Sequence, residues 1–263
     1  MQTETECIVL RHVKTAAGRT MLLVFSQKYG KISIGTSLTD KNSKSKSSLA
    51  IRPFTYGRYE LYKGREIYNL NGAETKKSFY SFGEDIDKYI AASVALELTE
   101  KVIGEEVPEP RIFSLLLDYL NNLEKRTKAF DTLLIAYEVK LLGLLGQAPV
   151  LDRCTVCGKA MEEKPKYFSI KEGGVICENC HTDFERNISE KFTENIHSQS
   201  PFGLIYAPKF DIVDTLRYFA EKPFSAFEKI ALNTPTSMEL KEILREYFSY
   251  HLDVGPLKSE SMM

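Results

Sequence analysis

The run Thr20-Met21-Leu22-Leu23-Val24-Phe25, followed three residues later by Tyr29-Gly30-Lys31-Ile32-Ser33-Ile34, decides the fold. β-branched, aliphatic and aromatic residues dominate both runs, and Tyr29-Gly30-Lys31 supplies a turn, so the pair reads as a hairpin. Upstream, Cys7-Ile8-Val9-Leu10 opens another extended segment. Downstream, Ser37 to Ser48 is rich in Ser and Lys and reads as a mobile loop. Pro53-Phe54 begins a further extended region. In Tyr59-Glu60-Leu61-Tyr62 and Ile67-Tyr68-Asn69-Leu70 polar and apolar residues partly alternate, with Lys63-Gly64-Arg65 as the turn between them. About five short strands in the first ~80 residues make a small barrel or sandwich, and an OB-like barrel fits that count.

After Gly83 the hydrophobic period changes from strand to helix. Asp85 is placed as the N-cap of a helix carrying Ile86, Tyr89, Ile90, Val94, Leu96 and Leu98. Gly104 ends it, and Pro108 and Pro110 stand where prolines open helices. A second helix follows, and a third runs from about Lys128 to Leu145, with Gly146 as its stop. Later helices are expected near 211–221, 225–232 and 237–251, the last opened by a capping box of Thr236 and Glu239. The tail from Lys258 to Met263 is expected to fray. The fold class is therefore α+β. An OB-type β-barrel over residues 1–83 precedes an α-helical domain over 84–263, into which a cysteine module at about 152–184 is inserted.

That module holds the clearest chemistry in the chain. Cys154-Thr155-Val156-Cys157 and Cys177-Glu178-Asn179-Cys180 form two knuckles separated by 19 residues. A two-residue gap lets both thiolates of a knuckle reach one ion, and the second knuckle completes a tetrahedron. Cys154, Cys157, Cys177 and Cys180 are thus read as ligands of one Zn²⁺. Four thiolates leave no position for water or substrate, so the site is structural. His181 is the less favoured ligand, and two disulfides or a redox pair are the rival readings. Paired CxxC motifs in a reducing compartment favour metal. Cys7, in an apolar run, is expected to be a buried, inert thiol.

With 263 residues, 43% apolar and 27% charged, the chain suits a globular protein with a substantial core. Its start, Met1-Gln2-Thr3-Glu4-Thr5-Glu6, is acidic and unlike a secretion signal, and no apolar run approaches bilayer length. A cytoplasmic location and no membrane partner are expected. The net charge of −1 hides an asymmetry: residues 1–80 hold 14 Lys and Arg against 6 Asp and Glu, and the rest hold 21 against 30. A basic first third suggests a polyanionic partner. Candidate phosphate contacts are Arg11, Lys14, Arg19, Lys28, Lys31, Lys41, Lys44, Lys46, Arg52 and Arg58, with Phe25, Tyr29, Tyr56, Tyr59 and Tyr62 as candidate base platforms. Several of these aromatics must instead fill the barrel. There is no P-loop, HExxH or GxSxG motif, and the four histidines are dispersed, so no catalytic centre is read.

The residues also resemble a known family. Cys7 to Arg11, Val24-Phe25 and Tyr29-Gly30-Lys31 look like the opening of RecO, a bacterial family of recombination-mediator and DNA-repair proteins. Leu49 to Phe54, Glu60 to Gly64, Tyr137 to Gly146, Ala148 to Cys154, Phe168-Ser169, Gly173 to Cys177, Tyr250 to Leu252 and Leu257 to Ser259 continue the pattern in order. The resemblance implies an OB fold, a helical bundle, a zinc module and a non-catalytic role. It implies binding of single- and double-stranded DNA, strand annealing, and cooperation with RecR to let RecA displace SSB, whose acidic C-terminal tail is a further contact. An OB-fold RNA-binding or scaffold protein is the alternative. Two departures stand out. Gly35 to Asp40 is nearly neutral where the family loop often holds arginines, and Ala136 stands where many relatives carry an arginine, with Lys140 one turn along.

Overall fold

A computed structural model describes residues 2–14, 20–36, 49–64, 67–161, 164–191 and 204–260. The chain divides into two compact units, one formed by residues 1–137 with 256–263 and the other by 138–255.

In the first unit, strands β1 (Gln2–Lys14), β2 (Thr20–Ser26), β3 (Gly30–Gly35), β4 (Thr55–Lys63) and β5 (Tyr68–Ser78) close a barrel in the order β1-β2-β3-β5-β4. All neighbours are antiparallel except β3 and β5, which pair in parallel through Ile34–Tyr68 and Gly35–Asn69. This is the OB arrangement. Strand alternation sends Cys7, Val9, Leu22, Val24, Ile32, Ile34, Tyr59, Leu61 and Tyr68 into the interior. Phe25 points the other way and meets Phe113 edge-on at 5.4 Å. The Cys7 thiol is fully buried and burial pushes its pKa up, as expected for an inert core residue. Gly30 turns the hairpin at φ +71°, and a Cβ there would lie 2.0 Å from the Val107 carbonyl oxygen. Both facts demand glycine. The segment before β4 plugs the barrel: Ile51 joins the core, and the Tyr59 hydroxyl donates to the Ala50 carbonyl.

Helix α1 (Ile86–Val102) starts as read, with the Asp85 carboxylate accepting from the N–H groups of Asp87 and Lys88, both at 3.1 Å. It buries Ile90, Ala91, Ala92, Val94, Ala95, Leu96, Leu98 and Thr99, so it is wrapped on most sides. Helix α2 (Pro110–Lys125) opens on proline, and α3 (Phe130–Leu144) follows. Tyr119 donates to the Ala91 carbonyl at 3.0 Å and packs on Tyr137 with ring centroids 4.8 Å apart. The tail is not frayed over its described part. Leu257 and Ser259 are buried, and the Glu97 carboxylate accepts from the N–H of Lys258 (2.9 Å), the N–H of Ser259 (2.8 Å) and the Ser259 hydroxyl (2.7 Å). The charged sequence of this tail conceals a partner on α1, more than 150 residues away.

The second unit carries a small sheet, β7-β6-β8, from β6 (Tyr167–Ser169), β7 (Gly174–Ile176) and β8 (Ile205–Tyr206). Helices α4 (Glu178–Lys191), α5 (Ile212–Glu221) and α6 (Thr234–Leu252) complete it. Gly173, at φ +72°, turns the β6–β7 hairpin, and Gly174 lies so close to Val150 that a Cβ would sit 2.2 Å from its carbonyl oxygen. Two expectations fail here. Residues 225–232 do not form a helix. Only a single 3₁₀ turn, Phe224–Phe227, is present, and the backbone is extended at Asn233, which caps α6. The cap itself is Asn233, whose side chain accepts from Thr236 N–H at 2.9 Å, three residues earlier than the expected capping box.

Candidate metal centre and nucleic-acid interface

The cysteine module is built on backbone turns. Cys154 N–H donates to Lys159 at 2.8 Å, Gly158 N–H returns to the Cys154 carbonyl at 2.9 Å, and Gly158 takes φ +73°. The loop is docked by Thr155 N–H on the Val175 carbonyl at 3.0 Å. The second knuckle leaves the end of β7 and enters α4, so Cys177 and Cys180 lie one helical turn apart. As a result the four Sγ atoms all lie within 4.8 Å of one another, and Cys157 and Cys177 are 3.8 Å apart. Four sulfurs at about 2.3 Å from a tetrahedral ion stand about 3.8 Å from each other. A disulfide would need about 2.05 Å. The spacing therefore fits a shared metal ion and not a covalent pair.

Electrostatics agrees. Burial raises the Cys154 thiol, but donated N–H groups from Cys157, Cys177 and Val156 outweigh it and hold its pKa at about 6. Burial, then hydrogen bonding from Cys177, Cys157 and Cys154, raises Cys180. His181 is turned away from the sulfurs: its ring stacks on Tyr167 at 3.6 Å, and its Nδ1 lies 3.9 Å from Glu185.

The candidate phosphate contacts fall into separate places. Arg19, Lys41, Lys44 and Lys46 lie outside the described residues. Lys14 is exposed at the end of β1. Arg11 forms a two-point pair with Glu100 (2.7 and 2.6 Å), and Lys31 donates to the Glu100 carbonyl at 2.8 Å, so both meet the end of α1. Arg52 lies over the exposed ring of Tyr80 at 5.5 Å. Lys28 and Arg58 line one groove, together with Lys76. Among the candidate platforms, Phe25 and Tyr59 are core residues, Tyr29 and Tyr56 are half-buried, and Tyr62 is exposed.

Sequence reasoning missed Tyr80, Lys76 and Lys77. Alternation along β5 was the available signal for Lys76, whereas nothing local pairs Tyr80 with Arg52. Lys77 is held by Glu124 and Asn121, both at 2.7 Å. Ala136 is fully buried, and Lys140 donates to the Ala220 carbonyl at 2.9 Å with its ammonium 5.8 Å from the Phe224 ring.

Comparison with known proteins adds the lineage. The family described as Recombination protein O N terminal matches residues 1–79, and Recombination protein O C terminal matches 83–192 and 207–261. The DNA repair protein RecO of Alkaliphilus metalliredigens is 31% identical over 253 residues, covering 96% of this chain and 95% of the relative. That of Bacillus pumilus is 28% identical over 263 residues, covering 100% and 94%. That of Desulforamulus reducens is 28% identical over 248 residues, covering 94% and 89%. Barrel, helices and cysteine module together thus lie within sequence that RecO proteins share almost end to end, and the chain belongs to the RecO family.

Proposed function

We propose that this chain is a non-catalytic recombination mediator that binds single-stranded DNA and promotes pairing of complementary strands. The observation that carries the reading is a closed OB barrel made from the basic third of a RecO-family chain. Barrels of this kind bind single strands by charge and stacking. Two strands repel through their phosphates, and a cationic surface lowers that repulsion while bases pair. The described cations Lys14, Lys28, Arg52 and Arg58, and the lysines at 41, 44 and 46, are the proposed contacts. In the same reading RecR is the partner with which the chain helps RecA replace SSB, the SSB tail is a second contact, and the location is cytoplasmic.

The four cysteines are proposed to hold one structural Zn²⁺. With four thiolates bound, the ion supplies cross-linking and no open coordination position. Its work is to join the first knuckle to the β7–α4 corner.

Labelled oligonucleotide anisotropy across a salt series, followed by annealing of naked and SSB-coated strands, tests the function. Steep loss of affinity with salt and accelerated annealing are expected. Absence of salt-sensitive affinity, or tighter binding of RNA than of DNA in competition, overturns it.

A further inference from the structure

Across the outside of β1, β4 and β5 runs a groove of about 580 Å³, lined by Glu4, Glu6, Gln27, Lys28, Arg58 and Lys76. Three cations converge on one concavity, as a phosphate chain would require. Two of them are already occupied. Arg58 pairs with Glu4, and Lys76 pairs with Glu6, which also accepts from the Tyr56 hydroxyl at 2.5 Å. Lys28 reaches the Thr3 hydroxyl at 3.5 Å and lies 5.3 Å from the Tyr29 ring centre. Lys76, by its side-chain hydrogen bond, and then Tyr56 hold the Glu6 carboxyl below the usual carboxylate range, so it stays ionised.

Sheet stability alone does not account for this pattern. In the β1–β4 register Glu4 stands directly opposite Glu60, and like charges facing each other across a ladder are destabilising. Glu6 stands opposite Arg58, yet Arg58 turns diagonally to Glu4. The carboxylates also remain open to solvent. Arg58 and Glu4 are 53% and 43% exposed, and Lys76 and Glu6 are 40% and 31% exposed. Pairs this wet are worth little and exchange readily.

We propose that this groove is a latent phosphate-binding surface for single-stranded nucleic acid, held shut by Glu4 and Glu6, which occupy the places that phosphates would take on Arg58 and Lys76. The proposal rests on the barrel being a nucleic-acid binder. Each phosphate that enters must displace a carboxylate of the chain itself, so the strand is held weakly and released easily. That suits a protein that must let go of a strand once it has paired.

The test is anisotropy of fluorescein-labelled oligodeoxythymidine across a potassium chloride series. The Glu4→Gln/Glu6→Gln variant is expected to bind about fivefold tighter, since two exposed pairs no longer compete. Its salt slope should steepen by about 1.4, two phosphate contacts' worth for a single strand. In the Arg58→Ala/Lys76→Ala background the same Gln changes should bring no gain. An unchanged affinity overturns the proposal, and so does a gain that persists without Arg58 and Lys76, because that gain would come from net charge alone. The same two-charge change at Glu221 and Glu228, exposed in the other unit, should leave affinity within about twofold. If neither wild type nor the Gln variant shows salt-sensitive binding, the proposed function itself fails. If wild type binds and the Gln variant gains nothing, only the gate falls.

Discussion

At the scale of single residues, the fold depends on a few positions that admit one answer. Gly30 combines a positive φ with a carbonyl oxygen where a Cβ would be. Gly30→Ala is expected to cost about 2–4 kcal/mol, read as a lower urea midpoint. Glu97 is a different case. Burial raises its carboxyl, but the N–H groups of Ser259 and Lys258 and the Ser259 hydroxyl overcome this and bring its pKa below the ordinary value. The group thus titrates lower in the folded chain than in the unfolded one. Its contribution is complete above the unfolded value of about 4.3 and is lost as pH falls through the folded value. Amide exchange at Lys258 and Ser259 is expected to accelerate as pH is lowered below about 4, beyond the intrinsic pH trend, and to be fast at neutral pH in Glu97→Ala. Protection unchanged in that variant would show that buried Leu257 holds the segment by itself.

At the scale of elements, the cysteine module and the lysine-rich stretch at 41–46 are the parts whose behaviour follows most directly from chemistry. Removing metal should release the first knuckle from β7 and α4, since binding free energy at such a site is folding free energy. Purified protein is expected to contain one zinc per chain by atomic absorption. Cys154→Ala, or a strong chelator, should lower the melting temperature by several degrees or cause aggregation. Native melting in Cys154→Ala would refute a bracing role. For that stretch, replacing Lys41, Lys44 and Lys46 by Ala is expected to weaken single-strand binding and reduce the salt slope by about 2. An unchanged slope removes these lysines from the interface.

Elements were legible where a local rule governs them. Gly30, Asp85 and Pro110 announce a turn, a cap and a helix start through their own backbone chemistry, and the two CxxC knuckles announce a cluster of four thiols through spacing. Where the partner is distant, the signal disappears. Arg58 meets Glu4 across 54 residues, Arg11 meets Glu100 across 89, and Ser259 meets Glu97 across 162. Sequence reading therefore listed Arg11, Lys31 and Arg58 as cations without showing the acids and the carbonyl that each of them meets in the fold. It also expected a free tail where the chain is clasped, and a helix at 225–232 where only one 3₁₀ turn stands.

At the scale of the whole molecule, the uneven distribution of charge matters more than the net value near zero. Residues 1–80 hold 14 Lys and Arg against 6 Asp and Glu, and their described acids, Glu4, Glu6, Glu60 and Glu74, all lie on β1, β4 and β5. One wall of the barrel is thus laced with opposite charges, while Lys14 stands at the far end of β1 from Glu4 and Glu6. Annealing of complementary strands is expected to slow at least tenfold between 50 and 200 mM salt if several phosphate contacts are used. A rate insensitive to salt would point to pairing assisted by something other than charge neutralisation.

The clasp between Glu97 and residues 257–259 also bears on how the chain is made. A ribosome completes the barrel and α1 long before it reaches Leu257, and everything from 138 to 255 emerges in between. During that interval the Glu97 carboxylate lacks the donors that Lys258 and Ser259 bring to it. The first unit therefore cannot finish folding as it is synthesised. Its last contacts wait for the second unit to be translated.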